Sequence, residues 1–125
     1  MDNQTGTTSE RGLRGEGHAE SYLQRQGLAT LARNYRCRQG EIDLVMRDGE
    51  VLVFVEVRYR DSTQFGQPLE TIGSRKRARL IAAASVYLQR EAAYADLACR
   101  FDAVGLTGPL RQPEVEWVKD AFRDA

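Results

Sequence analysis

The sequence predicts a three-layer α/β domain on a mixed sheet of about five strands, in the order α-β-β-β-α-β-β. Three observations carry that prediction. Residues 40–58 hold two strand-like runs on either side of Asp48-Gly49, a strong hairpin signal. Those runs are apolar on both faces, with Val45, Leu52 and Phe54 on one and Leu44, Val53 and Val55 on the other, so both faces need a cover. Stretches with helical spacing stand before and after the first three strands, ready to supply the two covering layers.

The elements follow in order. Residues 1–8 are small and polar and read as an unstructured tail, leaving 9–125 as a single domain. Thr8 or Ser9 caps a first helix that runs to about Gln26 and stops at Gly27. Gly12, Gly15 and Gly17 each weaken that helix by ~1 kcal/mol relative to Ala, which implies a close approach or compensating packing. Leu13, Ala19 and Leu23 share one face, with Glu16 in the middle of the stripe. A carboxylate there is costly unless it finds a partner. Leu28 to Tyr35 reads as the first strand, and the hairpin supplies the next two. Arg60 to Leu69, with Gly66 and Pro68, reads as a loop. Ile72 to about Ala93 is the second helix, because Leu80, Ile81, Ala84, Tyr87 and Leu88 recur at helical spacing. Arg100 to Thr107 is a fourth strand ended by Gly108-Pro109, and Val115 to Lys119 a fifth. Trp117 and Phe122 read as core or edge-covering aromatics.

At 125 residues, 42% hydrophobic and 29% charged, the chain has the composition of one globular domain. Its 18 basic and 18 acidic residues cancel, which argues against a histone-like binder of bulk polyanion. Local segregation of charge leaves nucleic acid open. Cys37 and Cys99 sit in no CxxC pattern and read as two buried free thiols in a reducing compartment. The first dozen residues are too polar for a signal peptide. The longest apolar stretch, Leu80 to Leu88, contains Ser85 and is too short to span a bilayer. A soluble cytoplasmic protein with no membrane partner is expected.

A tight turn at Asp48-Gly49 would set Arg47 opposite Glu50, Val45 opposite Leu52, Asp43 opposite Phe54 and Glu41 opposite Glu56. Glu41, Asp43, Glu56 and Arg58 would then project from one face at one end of the hairpin, with Asp43 and Glu56 diagonal neighbours roughly 7–8 Å apart. Gathered carboxylates repel, and a divalent cation is the simplest offset. Mg²⁺ (or Mn²⁺) takes carboxylate oxygens and keeps several waters. Asp43, Glu56 and a backbone carbonyl would hold it, with Glu16 as a further acidic group. Such an ion polarises a phosphoryl oxygen and activates a bound water. Any one of these carboxylates alone is explained as readily by an ion pair with Arg33, Arg36, Arg38 or Arg58; the set on one face points to a site. Arg36, Arg38, Arg60, Arg75, Lys76 and Arg79 fall on segments near that acidic end and would engage nucleic-acid phosphates. A solvated, charged helix start accounts for the same residues. Lys76 lies one turn before Leu80, on the flank of the buried stripe, within reach of the sheet. His18 reads as a surface residue and Asp102 as a structural ion-pair partner.

Glu16, Asp43 and Glu56-Val57-Arg58 resemble the motif of the PD-(D/E)XK nucleases, in which a helix glutamate precedes an aspartate and a glutamate–x–lysine on a hairpin. More closely, the chain past residue 10 resembles the YraN family of bacterial proteins. The matching segments are Gly15-Glu16 with Ala19 and Tyr22-Leu23, Arg33-Asn34, Gly40-Glu41-Ile42-Asp43-Leu44, Val53-Phe54-Val55-Glu56-Val57-Arg58, Lys76 and Arg100-Phe101-Asp102-Ala103-Val104. The resemblance implies a restriction-endonuclease-like core and a Mg²⁺-dependent DNA endonuclease. Asp43 and Glu56 would be its metal ligands and Glu16 an accessory acid. It also implies kinship with archaeal Holliday-junction resolvases, which act on branched DNA as dimers, and a homodimer would suit a cut in both strands. One position departs from the superfamily: Arg58 stands where lysine is usual. Arginine does not give up its proton, so Arg58 can orient a water or stabilise charge but cannot serve as a general base. Lys76 is placed to supply the missing ammonium. The same departure motivates an alternative, a nucleic-acid-binding or scaffold protein that keeps the fold without hydrolysis.

Overall fold

The computed structural model describes residues 8–60, 72–109 and 111–123, with side chains from residue 15 onward. Helix α1 (Thr8–Arg25) leads into β1 (Ala29–Cys37), β2 (Gly40–Asp48) and β3 (Val51–Arg60). Helix α2 (Ser74–Arg90) and a 3₁₀ turn (Ala92–Tyr94) connect these to β4 (Ala98–Thr107) and β5 (Glu114–Phe122). The sheet is open, and its strand order is the chain order, β1-β2-β3-β4-β5. Only β3 and β4 pair in parallel, as a strand–helix–strand crossover through α2 requires. The predicted element order therefore stands. The strands run a few residues longer than expected, and the 3₁₀ turn is additional. The expected tail over residues 1–8 and the expected loop Arg60–Leu69 lie outside the described residues except at Thr8, which begins α1, and Arg60, which ends β3. Among the described residues no helix is long and apolar enough to cross a membrane.

Each face of the sheet carries its own core. Ile42, Val45, Leu52 and Phe54 pack with Leu80, Ala83, Ala84 and Tyr87 of α2. Leu44, Met46, Val53, Val55, Val104 and Leu106 pack with Ala19 and Leu23 of α1. The aromatic residues behave as the sequence suggests. Phe122 stacks on Phe101 at 4.8 Å, and Trp117 meets Tyr22 of α1 edge-on at 6.3 Å. Gly15 lets α1 lie close against β4, since a Cβ there would come within 3.1 Å of Leu106 Cδ1, whereas nothing approaches Gly17.

The hairpin register corrects the expectation. Asp48 pairs with Val51, Arg47 with Leu52, Val45 with Phe54 and Leu44 with Val55. The two loop residues are Gly49 and Glu50, with Gly49 at φ +60. Glycine takes the first loop position, where a positive φ is needed and costs it least. Asp48 is consequently the last paired residue, fixed by Arg100 of β4 at 3.0 Å. The displacement amounts to two residues along the ladder, so no side chain changes face and the predicted cores survive.

Polar anchors hold the layers. Glu20 of α1 is buried and accepts from Arg33 Nε (2.8 Å) and Thr30 Oγ1 (2.6 Å), tying α1 to the edge strand β1. Arg33 holds the Glu20 carboxyl below its ordinary range. Asp102 is 0% exposed and takes hydrogen bonds from Arg100 Nε (3.0 Å), Trp117 Nε1 (3.0 Å) and the Asp120 backbone N–H (2.9 Å). It thereby stabilises the irregular end of β5, where Asp120 has φ +54. Asp102 is a structural residue, as read from the sequence. Cys37 and Cys99 are free, but Cys37 is only half-buried and Cys99 is exposed. The expectation of two buried thiols is thus corrected. Cys99 sits at the start of β4, in an open hollow beside α2.

Replacing Asp102 by Ala should lower unfolding stability by about 3 kcal/mol, because three donors lose a buried acceptor at once. Urea titration measures this; an unchanged midpoint would mean that Asp102 does not hold β5.

Candidate metal and nucleic-acid site

The site forms where β2 and β3 stop pairing. Their ladder ends at Leu44–Val55. One residue further along the same register Asp43 stands across from Glu56, so the two are directly opposite rather than diagonal. Asp43 Oδ2 accepts the Val57 backbone N–H at 2.8 Å, a side chain replacing the next rung of the sheet. The pleat is broken at the same place. Ile42 and Val45, three residues apart, both face α2, as do Ala32 and Tyr35 on β1. Strict alternation would put each pair on opposite faces. Between them lies Asn34 in the left-handed region at φ +50, a conformation that Asn tolerates better than most residues.

This irregularity lets Asp43 be reached from both layers. Glu16 arrives from α1 and hydrogen-bonds to the Asn34 and Asp43 side chains. Its other oxygen, Oε1, is buried without a hydrogen-bond partner. Glu56 is buried on the far side of Asp43. It meets Lys76 Nζ of α2 at 2.5 Å. Burial, reinforced by the Glu56 charge, pushes the Asp43 carboxyl up to about 8. Burial also raises Glu16. Removal from water and the neighbouring acids both disfavour the ionised form of Asp43.

The cations divide into two groups. Arg36, Arg38, Arg75, Lys76 and Arg79 line a cleft of about 830 Å³ whose floor includes Asp43 and Glu56. Arg36 comes from the end of β1, Arg38 from the β1–β2 turn, and Arg75, Lys76 and Arg79 from the start of α2. The two walls touch at Gly40, where a Cβ would sit 2.9 Å from the Arg79 carbonyl oxygen, so a side chain there would force α2 away. Arg60 is not brought to the cleft. It is 6% exposed and ion-paired with Glu116 of β5 at 3.0 Å. Arg58 is two residues from Glu56 on β3 and half-buried. Glu41 is exposed at the cleft lip, 3.4 Å from Arg36, rather than part of the buried group.

The donor set is all oxygen, which suits a hard divalent cation. A cation beside Asp43 and Glu56 would also offset the mutual repulsion that disfavours an ionised Asp43. As they stand, no three His, Cys, Asp or Glu side chains among the described residues converge on one point. The arrangement therefore offers two ligand carboxylates, Asp43 and Glu56, with Glu16 behind them. Sequence reasoning missed Asn34, although an asparagine within a strand-like run is a signal of left-handed backbone. It also missed Glu20, whose neighbours on α1 gave no hint of a partner.

A family model described as "Uncharacterised protein family UPF0102" matches residues 15–106. A UPF0102 protein of Nitrosococcus oceani is 49% identical over 117 residues, covering 94% of each chain. Another, from Pseudomonas putida, is 50% identical over 89% of this chain and 91% of its own. A third, from Pseudomonas fluorescens, is 48% identical over 90% and 92% respectively.

The raised Asp43 carboxyl makes a pH prediction with a definite sign. A group whose folded value lies above its unfolded value favours the fold at low pH, and that contribution is lost as pH rises toward the folded value. Metal-free protein should accordingly lose stability between about pH 4 and pH 8. Asp43→Asn, which keeps the bond to Val57 and needs no proton, should be the more stable protein at pH 8 by at least about 1 kcal/mol. Thermal melts in chelator across this range test it; a variant less stable than wild type at pH 8 would contradict the crowding of acids.

Proposed function

The chain belongs to the UPF0102 family, and we propose that this member is a divalent-metal-dependent endonuclease that hydrolyses phosphodiester bonds in DNA. One observation carries the reading. Asp43 and Glu56 line a cleft walled by cations at a break in the sheet, and Glu16, with one oxygen unpartnered, backs Asp43 from α1. A purely structural cluster would be paired residue by residue, as Glu20 and Asp102 are.

Asp43 and Glu56 would hold Mg²⁺ or Mn²⁺, with Glu16 supporting Asp43 through their shared hydrogen bond. The bound ion would supply polarisation of a phosphoryl oxygen and a water of lowered pKa. The remaining roles fall to the chain's own groups. Lys76 neutralises Glu56 and stands at the cleft floor, where its ammonium can orient a water or meet charge on the phosphate. Arg58 contributes positive charge. Arg36, Arg38, Arg75 and Arg79 hold the substrate's phosphates in place. Asn34 keeps Glu16 aimed at Asp43. A second reading, DNA binding without hydrolysis, is favoured by a different observation: Lys76 already neutralises one of the two ligand carboxylates.

Purified protein should nick branched or single-stranded DNA in Mg²⁺ or Mn²⁺ and stop in chelator. Asp43→Ala and Glu56→Gln should each lower the rate by at least about a hundredfold. Lys76→Met should cut it less, by on the order of tenfold to a hundredfold. Activity that persists in Asp43→Ala would assign it to another protein. Binding that never yields product in the wild type would favour the second reading.

A further inference from the structure

We propose that the cleft takes one unpaired polynucleotide strand and holds it by its phosphates, without reading its bases. This rests on the endonuclease reading only for the position of the cut strand over Asp43 and Glu56. Cations stand on two facing walls. Arg36 projects from the end of β1 and Arg38 from the β1–β2 turn, and Arg75, Lys76 and Arg79 from α2. The walls meet where Gly40 packs directly on the Arg79 backbone.

A strand lying between the walls meets positive charge on both flanks. A strand in a duplex has one flank occupied by its complement, so only one wall could be used. The chemistry of the lining also limits what can be read. Among the described residues it contains no aromatic ring on which a base could stack, and Gln39 is the one neutral amide. Arginine and lysine on phosphates fix register and orientation but carry no sequence information. Arg36, although 3.4 Å from Glu41, is fully able to exchange that exposed partner for a phosphate.

The test is fluorescence anisotropy of the full chain with labelled dT12, dA12, rU12 and a 12-base-pair duplex, in chelator so that no cleavage intervenes. Wild type should bind dT12, dA12 and rU12 within about threefold of one another, and the duplex at least about tenfold more weakly. Arg36→Ala with Arg38→Ala, and separately Arg75→Ala with Arg79→Ala, should each weaken dT12 binding by about tenfold or more. Each pair should also reduce the slope of log affinity against log salt by about 1.4, the value for two single-strand phosphate contacts. All four side chains are exposed, and matching melting temperatures would confirm that the variants fold. Equal or tighter duplex binding would overturn the inference, as would a loss confined to one wall or a strong base preference. If the wild type shows this pattern but never cuts DNA, the endonuclease reading falls and the inference stands. If it cuts DNA yet prefers the duplex, the reverse holds.

Discussion

Electrostatic crowding around Asp43 is the constraint on which the rest of the molecule depends. A half-buried carboxyl between two others costs free energy in the absence of a cation, and desolvation together with the Glu56 charge pushes its pKa up to about 8. Nothing in the two apolar cores requires an acid at this position. Leu44 and Val45, its neighbours, are fully buried and would tolerate an apolar residue beside them. The fold instead breaks the pleat at Asn34 and Asp43, gives up a rung between β2 and β3, and brings acids from both layers to the gap. Local rules broken together at one place are the usual mark of a functional site.

The surrounding structure holds that arrangement in place. The Glu20–Arg33 pair fixes α1 on β1 and so sets where Glu16 points. Gly15 allows the helix to approach β4 closely. On the opposite face Gly40 seats α2 against the β1–β2 turn, and that seat determines where Lys76 and the cationic wall stand. Arg100 joins Asp48 at the hairpin tip to Asp102 in the β4–β5 anchor. The site's own electrostatic cost is thus offset by well-satisfied polar networks and by two apolar cores elsewhere.

Much of this was legible in the sequence. The apolar alternation of Val45, Leu52 and Phe54 against Leu44, Val53 and Val55 identified both cores, because even a two-residue slip in pairing preserves faces. The slip itself was not legible. Both Asp48-Gly49 and Gly49-Glu50 make acceptable turns, and the choice rests on a tertiary bond from Arg100 some fifty residues away. Glu16 stood out as an acid on an apolar stripe, and its place beside Asp43 follows from that stripe facing the sheet. Asn34 left a local trace, an asparagine inside a strand-like run, but its partner Glu16 lies on a helix that only the fold brings beside it. Arg60 looked like a site cation by nearness in sequence to Arg58. Its partner, Glu116, lies on a strand whose position only the fold reveals.

The most direct test is isothermal calorimetry of the metal-free protein with Mn²⁺, alongside Asp43→Asn. The wild type should bind about one ion per chain, and the variant should give no heat above dilution. Equal binding by both proteins, or none by the wild type, would contradict an acid cluster built around a cation.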